Sequence, residues 1–342
     1  MRLDTANRSF AGLMGVGLLV GMFVFCGAVG CVLIVLVATR IGDGGLAAIT
    51  GGGHWLALVF IVIVGAGAVL GLWSLGVQIR ASRRLARRVG SLGLPLTGEL
   101  ETAARRAGLA GRVKLVDSDE CFSFAYGALT PRVALSRGLL ETASGRELDA
   151  VLQHERYHVR NLDPLKVLLA RAAPATFFYL PVLRGLQERY VAGRELAADR
   201  RAVSACGRQP LAAALFKVVR GPEWRELQMA AAIGGPELLD VRVSQLESGR
   251  EPSVVAPSAT ALVLSLLAGA ALVGLFVASV LAFGGPSAVT RTTGAGFSPL
   301  DVAGGLLCAV PWVAVGWLGF RWLARRSRHP LTRRSSSTTL SS

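Results

Sequence analysis

Four stretches of this chain carry no charged residue over lengths that match a lipid bilayer, and they limit its possible folds more than any other feature. Residues 11–38 give 28 uncharged positions, 55–79 and 259–283 give 25 each, and 302–320 give 19 before Arg321. A helix needs about 20 apolar residues to cross a hydrocarbon core of roughly 30 Å. Within that core each backbone N–H and C=O must pair inside its own segment, so each stretch is expected to be a transmembrane α-helix. Trp55 and Trp73 lie near the ends of the second stretch, where indole rings favour the membrane interface. The first stretch is about twice as long as a signal-peptide core and reads as an anchor. Gly17 and Gly21, four residues apart, either open a face for close helix approach or simply face lipid.

The composition fits such a chain. Apolar residues make up 52% and charged residues 17%, yet the net charge is +15. High hydrophobicity excludes a disordered polycation or a small basic nucleic-acid module. The five cysteines are odd in number and form no CxxC pair, which argues against a disulfide scaffold or a thiolate metal site. The position of the positive charge is informative. Arg2 and Arg8 precede the first span, Arg80, Arg83, Arg84, Arg87 and Arg88 follow the second, and Arg321, Arg325, Arg326, Arg328, Arg333 and Arg334 follow the fourth. The loops on the other side carry one basic residue each, Arg40 and Arg291, balanced by Asp43 and Asp301. Basic flanks stay in the cytoplasm, so both termini and the central region are expected there, in the plasma membrane of the cell. The flanks hold 13 basic residues against Asp4, leaving +3 for the central region. The charge is therefore mostly topological, and no direct nucleic-acid partner is expected.

The central region reads as a compact α+β domain. Residues 97–108 form a short helix, 112–117 and 132–136 short strands, and 127–131 a turn. Ser144 and Glu147 have the spacing of a capping box, in which each side chain satisfies a free backbone N–H at the start of a helix. Leu148, Val151 and Leu152 give that helix its buried stripe. It carries His154-Glu155-Arg156-Tyr157-His158.

Histidines at i and i+4 lie on one helical face, so both imidazoles can bind one Zn²⁺, with Glu155 beside them as general base. Arg156 departs from the stricter form of this motif, which prefers uncharged residues there. One zinc per chain needs a third protein ligand. His54 falls in an outer loop and His329 in the tail, so a carboxylate must serve. Glu195 and Asp199, also at i and i+4, provide Glu195 as ligand and Asp199 as a hydrogen-bond acceptor for a ligand imidazole. Glu188 competes, but Ala192 stands where its acidic companion would be. The apolar segment 172–183 lies between the motifs. Twelve helical residues span only about 18 Å, too short to cross the bilayer. It is expected to dip into the interface or pack on the domain, which keeps Glu195 on the side of the histidines. Tyr126, Tyr157 and Arg194 are candidate oxyanion donors, though a packing tyrosine or a solvated arginine explains each as well. Asp163, before Pro164, reads first as a helix-ending turn.

With these residues in view, the chain resembles the antirepressor-type membrane zinc metallopeptidases, the family of the β-lactam sensor-transducers. The resemblance rests on Gly127-Ala-Leu-Thr-Pro131-Arg-Val-Ala-Leu-Ser136, on His154 to Pro164, and on Arg194-Glu195-Leu-Ala-Ala-Asp199. It implies a gluzincin site with His154, His158 and Glu195 on zinc and Glu155 as base. It also implies a cytoplasmic domain that cleaves a transcriptional repressor or itself. The strand at 132–136, by analogy with related peptidases, would pair with an extended substrate. The sensor-transducers carry a large extracellular drug-binding domain after their last span. Here the third span is followed by about 18 residues and another span, so the β-lactam stimulus is not expected to carry over. Housekeeping or prenyl-protein membrane gluzincins share the HExxH and ExxxD pair and are an alternative. A non-enzymatic membrane regulator with a retained zinc site is another.

The expected fold is thus a multi-span α-helical membrane protein with a cytoplasmic α+β gluzincin-type metallopeptidase domain. Residues 1–79 hold two spans, 80–258 the zinc peptidase domain with its non-spanning segment 172–183, 259–320 two more spans, and 321–342 a basic, Ser-rich tail. The lipid bilayer and a protein substrate are the expected partners.

Overall fold

The computed structural model describes residues 5–41, 55–218, 237–250, 252 and 256–283. The fourth apolar stretch, the outer loops beyond Ile41, the tail, His54 and His329 lie outside the described residues. The chain divides into two compact units, Met1–Ser279 and Val280–Ser342. Of the second unit, only the last turn of a helix is described.

Three apolar stretches form helices long enough to cross a membrane: α1 (Thr5–Ile41), α2 (Trp55–Ser91) and α10 (Ala259–Phe283). Bulky apolar side chains such as Leu18 and Leu72 are more than two-thirds exposed (72% and 71%), a surface that suits lipid and not water. Past its apolar half, α2 continues unbroken through Arg80, Arg83, Arg84, Arg87 and Arg88. Its last turns bury Leu85 and Val89 against Phe122, Phe124 and Tyr126. A single continuous helix therefore carries the chain from the membrane segment onto the sheet.

The sheet has four strands: β1 (Gly93–Leu94), β2 (Val113–Val116), β3 (Ser123–Tyr126) and β4 (Arg132–Ser136), in the order β1-β2-β4-β3. β2 and β4 are parallel, with Val113 opposite Val133, while β3 and β4 form an antiparallel hairpin with Ser123 opposite Leu135. Gly127, at φ 88°, begins the hairpin loop in a conformation that side chains with a Cβ rarely adopt. Alternation along β4 sends Val133 and Leu135 to one face and Ala134 to the other. The first face is covered by α3 (Gly98–Arg106), α4 (Arg137–Thr142) and α5 (Gly145–Arg160), through Leu100, Leu139, Leu148, Val151 and Leu152. The second is covered by α2.

At the start of α5, Ser144 Oγ accepts from Glu147 N at 3.4 Å, and Glu147 Oε2 accepts from Ser144 N at 2.7 Å. This is the reciprocal cap that the sequence spacing predicts. Beyond α5 come α6 (Asp163–Thr176), a turn at 177–181, α7 (Val182–Cys206), α8 (Arg208–Val218) and α9 (Glu237–Ser248). The apolar segment 172–183 is thus a helix end, a reversal and a helix start. It packs against the apolar helices α1 and α2. A Cβ on Gly67 or Gly71 of α2 would run into Thr176, and a Cβ on Gly17 or Gly21 of α1 would stand 3.5 or 3.3 Å from Phe177. The small residues of α1 therefore admit the ring of this turn.

Candidate metal centre

α5 and α7 cross with their buried faces together, and the crossing sets the site. His154, Glu155 and His158 on α5 are buried. Glu195 and Asp199 share a face of α7, with Asp199 fully buried and Glu195 only slightly exposed. His154 Nε2 and His158 Nε2 stand 3.1 Å apart. Glu195 brings Oε2 to 3.5 Å from the first and Oε1 to 3.7 Å from the second. Among the described residues these three side chains form a group whose donor atoms lie within 4.8 Å of one another.

Each imidazole is backed by a carboxylate. His158 Nδ1 is 2.7 Å from Asp163 Oδ2, and Tyr190 Oη donates to Asp163 Oδ1 at 3.1 Å. Asp163 reaches this place because Leu162 adopts a left-handed conformation (φ 55°), so that α6 starts directly after α5. That conformation costs a non-glycine residue about 1–2 kcal/mol. Asp163 is therefore the first residue of a new helix, buried beneath His158, and not the helix-ending turn expected from Pro164. His154 Nδ1 is 2.8 Å from Asp199 Oδ1, with the oxygen off the axis of the ring N–H. Asp199 also accepts two hydrogen bonds from Arg242, and Arg194 Nη2 lies 3.2 Å from Glu195 Oε1.

The electrostatics follow from this crowding. Burial opposes a charged His154, but Asp199 and Glu195 outweigh burial and raise it to about 9. Burial favours a neutral Glu195, yet His158, Arg194, His154 and Arg242 together hold it well below the usual carboxylate range. Burial likewise opposes an ionised Asp199, and Arg242 and His154 hold it down to about 2.

The donor set fits a metal ion. The carboxylates beside each Nδ1 favour the tautomer whose proton sits there, so both Nε2 atoms, 3.1 Å apart, are placed to face a cation that would displace any proton from them. Ligand atoms at about 2.0–2.1 Å from a tetrahedral zinc are about 3.3 Å from one another, which matches these spacings. Glu155 completes the group. Its Oε1 accepts from Ser123 Oγ at 2.8 Å, while Oε2 is buried with no hydrogen-bond partner among the described residues. A carboxylate held at one oxygen and open at the other suits proton transfer.

The structure thus brings His154, Glu155, His158, Glu195 and Asp199 into one cluster. It places the oxyanion candidates differently. Arg194 pairs with Glu195, Tyr157 rests its ring against His158 with centroids 5.8 Å apart, and Tyr126 is buried beside Phe124. The strand expected to receive substrate is also displaced. β4 is flanked on both sides, by β2 and β3, and has no free edge. Among the described strands the edge beside β4 is β3, which carries Ser123. Ser123, Tyr190 and Arg242 complete the site without any periodic or motif signal of their own, and Asp163, near the end of the His154-to-Pro164 block, joins them.

The sequence profile described as BlaR1 peptidase M56 matches residues 43–246, more than half of the chain and all of this cluster. The chain belongs to the M56 peptidase family. Together with the three long apolar helices among the described residues, this makes it a multi-pass membrane protein. This M56 chain is also similar to proteins named Protease HtpX. It is 32% identical over 133 residues to the Protease HtpX homolog of Herminiimonas arsenicoxydans, covering 36% of this chain and 44% of that protein. It is 30% identical over 183 residues to Protease HtpX of Shewanella halifaxensis, covering 48% and 63%. The match to Protease HtpX of Aeromonas hydrophila is 38% over 95 residues, covering 25% and 33%. The chain therefore spans about half the length of the curated relatives it matches.

Proposed function

We propose that this chain is a zinc-dependent endopeptidase that cuts a peptide bond at the cytoplasmic face of the plasma membrane. The convergence of His154 Nε2, His158 Nε2 and the Glu195 carboxylate, with Glu155 beside them, carries this reading. His154, His158 and Glu195 would hold one Zn²⁺. When bound, the ion supplies Lewis acidity, activating a water and polarising the scissile carbonyl. Glu155 takes the water's proton on its open oxygen while Ser123 fixes the other, and later passes that proton to the leaving amine. The free edge of β3 offers backbone groups to an extended substrate close to Glu155.

Residues 80–258 form the cytoplasmic domain in this reading, and 172–183 does not cross the bilayer. The arginine-rich flanks support the orientation. The start of α1 supports it too: Ala6 packs on Gly193, and Asn7 Oδ1 accepts from Lys166 Nζ at 2.6 Å, so the N-terminal end lies with the metal helix. The role is regulatory proteolysis, with a transcriptional repressor or the chain itself as substrate. A housekeeping role is the second reading, favoured by the likeness to Protease HtpX. Comparing the membrane and cytoplasmic proteins that accumulate uncut in a Glu155→Gln strain separates the two: one regulator supports the first, many unrelated membrane proteins the second. The metal itself is tested by zinc content. His154→Ala should lower it from one per chain to near zero, and an undiminished stoichiometry would refute the ligand assignment.

A further inference from the structure

Arg242 stands on α9, 43 residues beyond Asp199, yet its guanidinium ends in the metal centre. Nε donates to Asp199 Oδ2 and Nη2 to Oδ1, each at 2.7 Å. This is the paired geometry in which a planar guanidinium matches a carboxylate. Nη1 lies 3.7 Å from Glu195 Oε2. Three residues on, on the same face of α9, Gln245 Nε2 donates to the Leu196 carbonyl at 2.9 Å. Two neighbouring side chains of α9 thus grip α7 along the stretch that bears both carboxylates.

Asp199 needs that grip. It is fully buried, and its contact with His154 is short but off-axis. Its two oxygens are otherwise satisfied by Arg242. Without the guanidinium, the carboxylate would be free to turn, and His154 would lose the partner that orients its ring and aims Nε2. Groups that back a metal-binding imidazole control metal affinity in this way.

We propose that Arg242 is a positioning residue of the metal centre: it locks the Asp199 carboxylate, which in turn holds His154 Nε2 towards the metal. The proposal rests on the reading of His154, His158 and Glu195 as zinc ligands. It also makes α9 a working part of the site. α10 follows α9 in the chain, and Ser265 Oγ of α10 accepts from Val182 N at the start of α7 at 3.0 Å. The third membrane helix is therefore tied directly to the start of the metal-bearing helix.

The test uses the full chain in detergent micelles, with zinc affinity read by chelator competition and the ligand field read from Co²⁺ substituted for zinc. Arg242→Met should weaken zinc about tenfold or more and shift the Co²⁺ visible bands. Arg242→Lys, which keeps the charge but not the paired geometry, should fall between it and the parent. Asp199→Asn should weaken zinc to a similar degree, and adding Arg242→Met to it should cost little more, because both act through one carboxylate. Parental affinity in Arg242→Met, or full additivity with Asp199→Asn, would overturn the proposal. Should Arg242→Met not fold, Arg242→Lys decides alone, parental affinity counting against. If the parent binds no zinc, or His154→Ala binds it equally well, the metal-site reading fails first. If only the Arg242 variants are silent, that reading stands and this inference falls.

Discussion

His154 and His158 lie one turn apart on the same helix, and both face the same point, but they are supported in different ways. The His158 arm is local and neutral at its far end. Asp163 follows five residues later in the chain, and the hydroxyl of Tyr190 completes it. Tyr190 in turn packs on Phe10 of α1, ring centroids 5.2 Å apart. The His154 arm is remote and charged. Asp199 comes from α7, its contact is less well aligned, and it is held by a guanidinium from α9. One arm leads back to the first membrane helix and the other towards the third. A shared motif thus hides two supports of unequal strength, and the charged one has more to lose when broken.

This asymmetry can be broken experimentally. Asp199→Asn takes from the buried Arg242 guanidinium its paired carboxylate, leaving only Glu195 at 3.7 Å, and should destabilise the fold by about 3 kcal/mol. Asp163→Asn weakens the contacts with His158 and Tyr190 without stranding a buried guanidinium, and should cost about 1–3 kcal/mol. Denaturant unfolding of the two variants, run side by side without metal, reads the difference; an equal cost would erase the distinction between the arms. Acid should find the same arm. Asp199 is held at about 2, below its ordinary value near 3.8, so its stabilisation is present above that ordinary value and lost as pH falls towards 2. The loss amounts to about 2 kcal/mol, and acid unfolding should shrink by that amount in Asp199→Asn. The smallest effect belongs to the other arm. Tyr190→Phe deletes one hydroxyl and should cost about 1 kcal/mol while zinc remains bound at full stoichiometry. A larger loss would mean that Tyr190 carries load through α1 beyond its hydroxyl.

The two arms also show what could be read from sequence. The spans, the capped helix and the His-Glu-His turn are written in local periods, and α10 begins and ends where the uncharged stretch does. β4 likewise covers the expected 132–136. Glu195 and Asp199 were accessible through their i, i+4 spacing. Asp163 stood beside the motif but looked like punctuation, because nothing in Leu162-Asp163-Pro164 announces a left-handed residue that starts a new helix at once. Ser123 sits in a four-residue strand too short to show a period, so the sequence points to 132–136 as the substrate-pairing strand, while the sheet places β3 outside it. Arg242 had no signal at all. It is one arginine among many, and only the packing of α9 on α7 brings it to Asp199.

Cleavage by the zinc-loaded Glu155→Gln protein tests the account most directly. Glutamine keeps the shape and the hydrogen bond from Ser123 but cannot take a proton, and none of the three proposed ligands is touched. The account predicts one zinc per chain, as in the parent, with peptide-bond cleavage reduced by about 10²–10⁴-fold. Cleavage at the parental rate by that protein would contradict it.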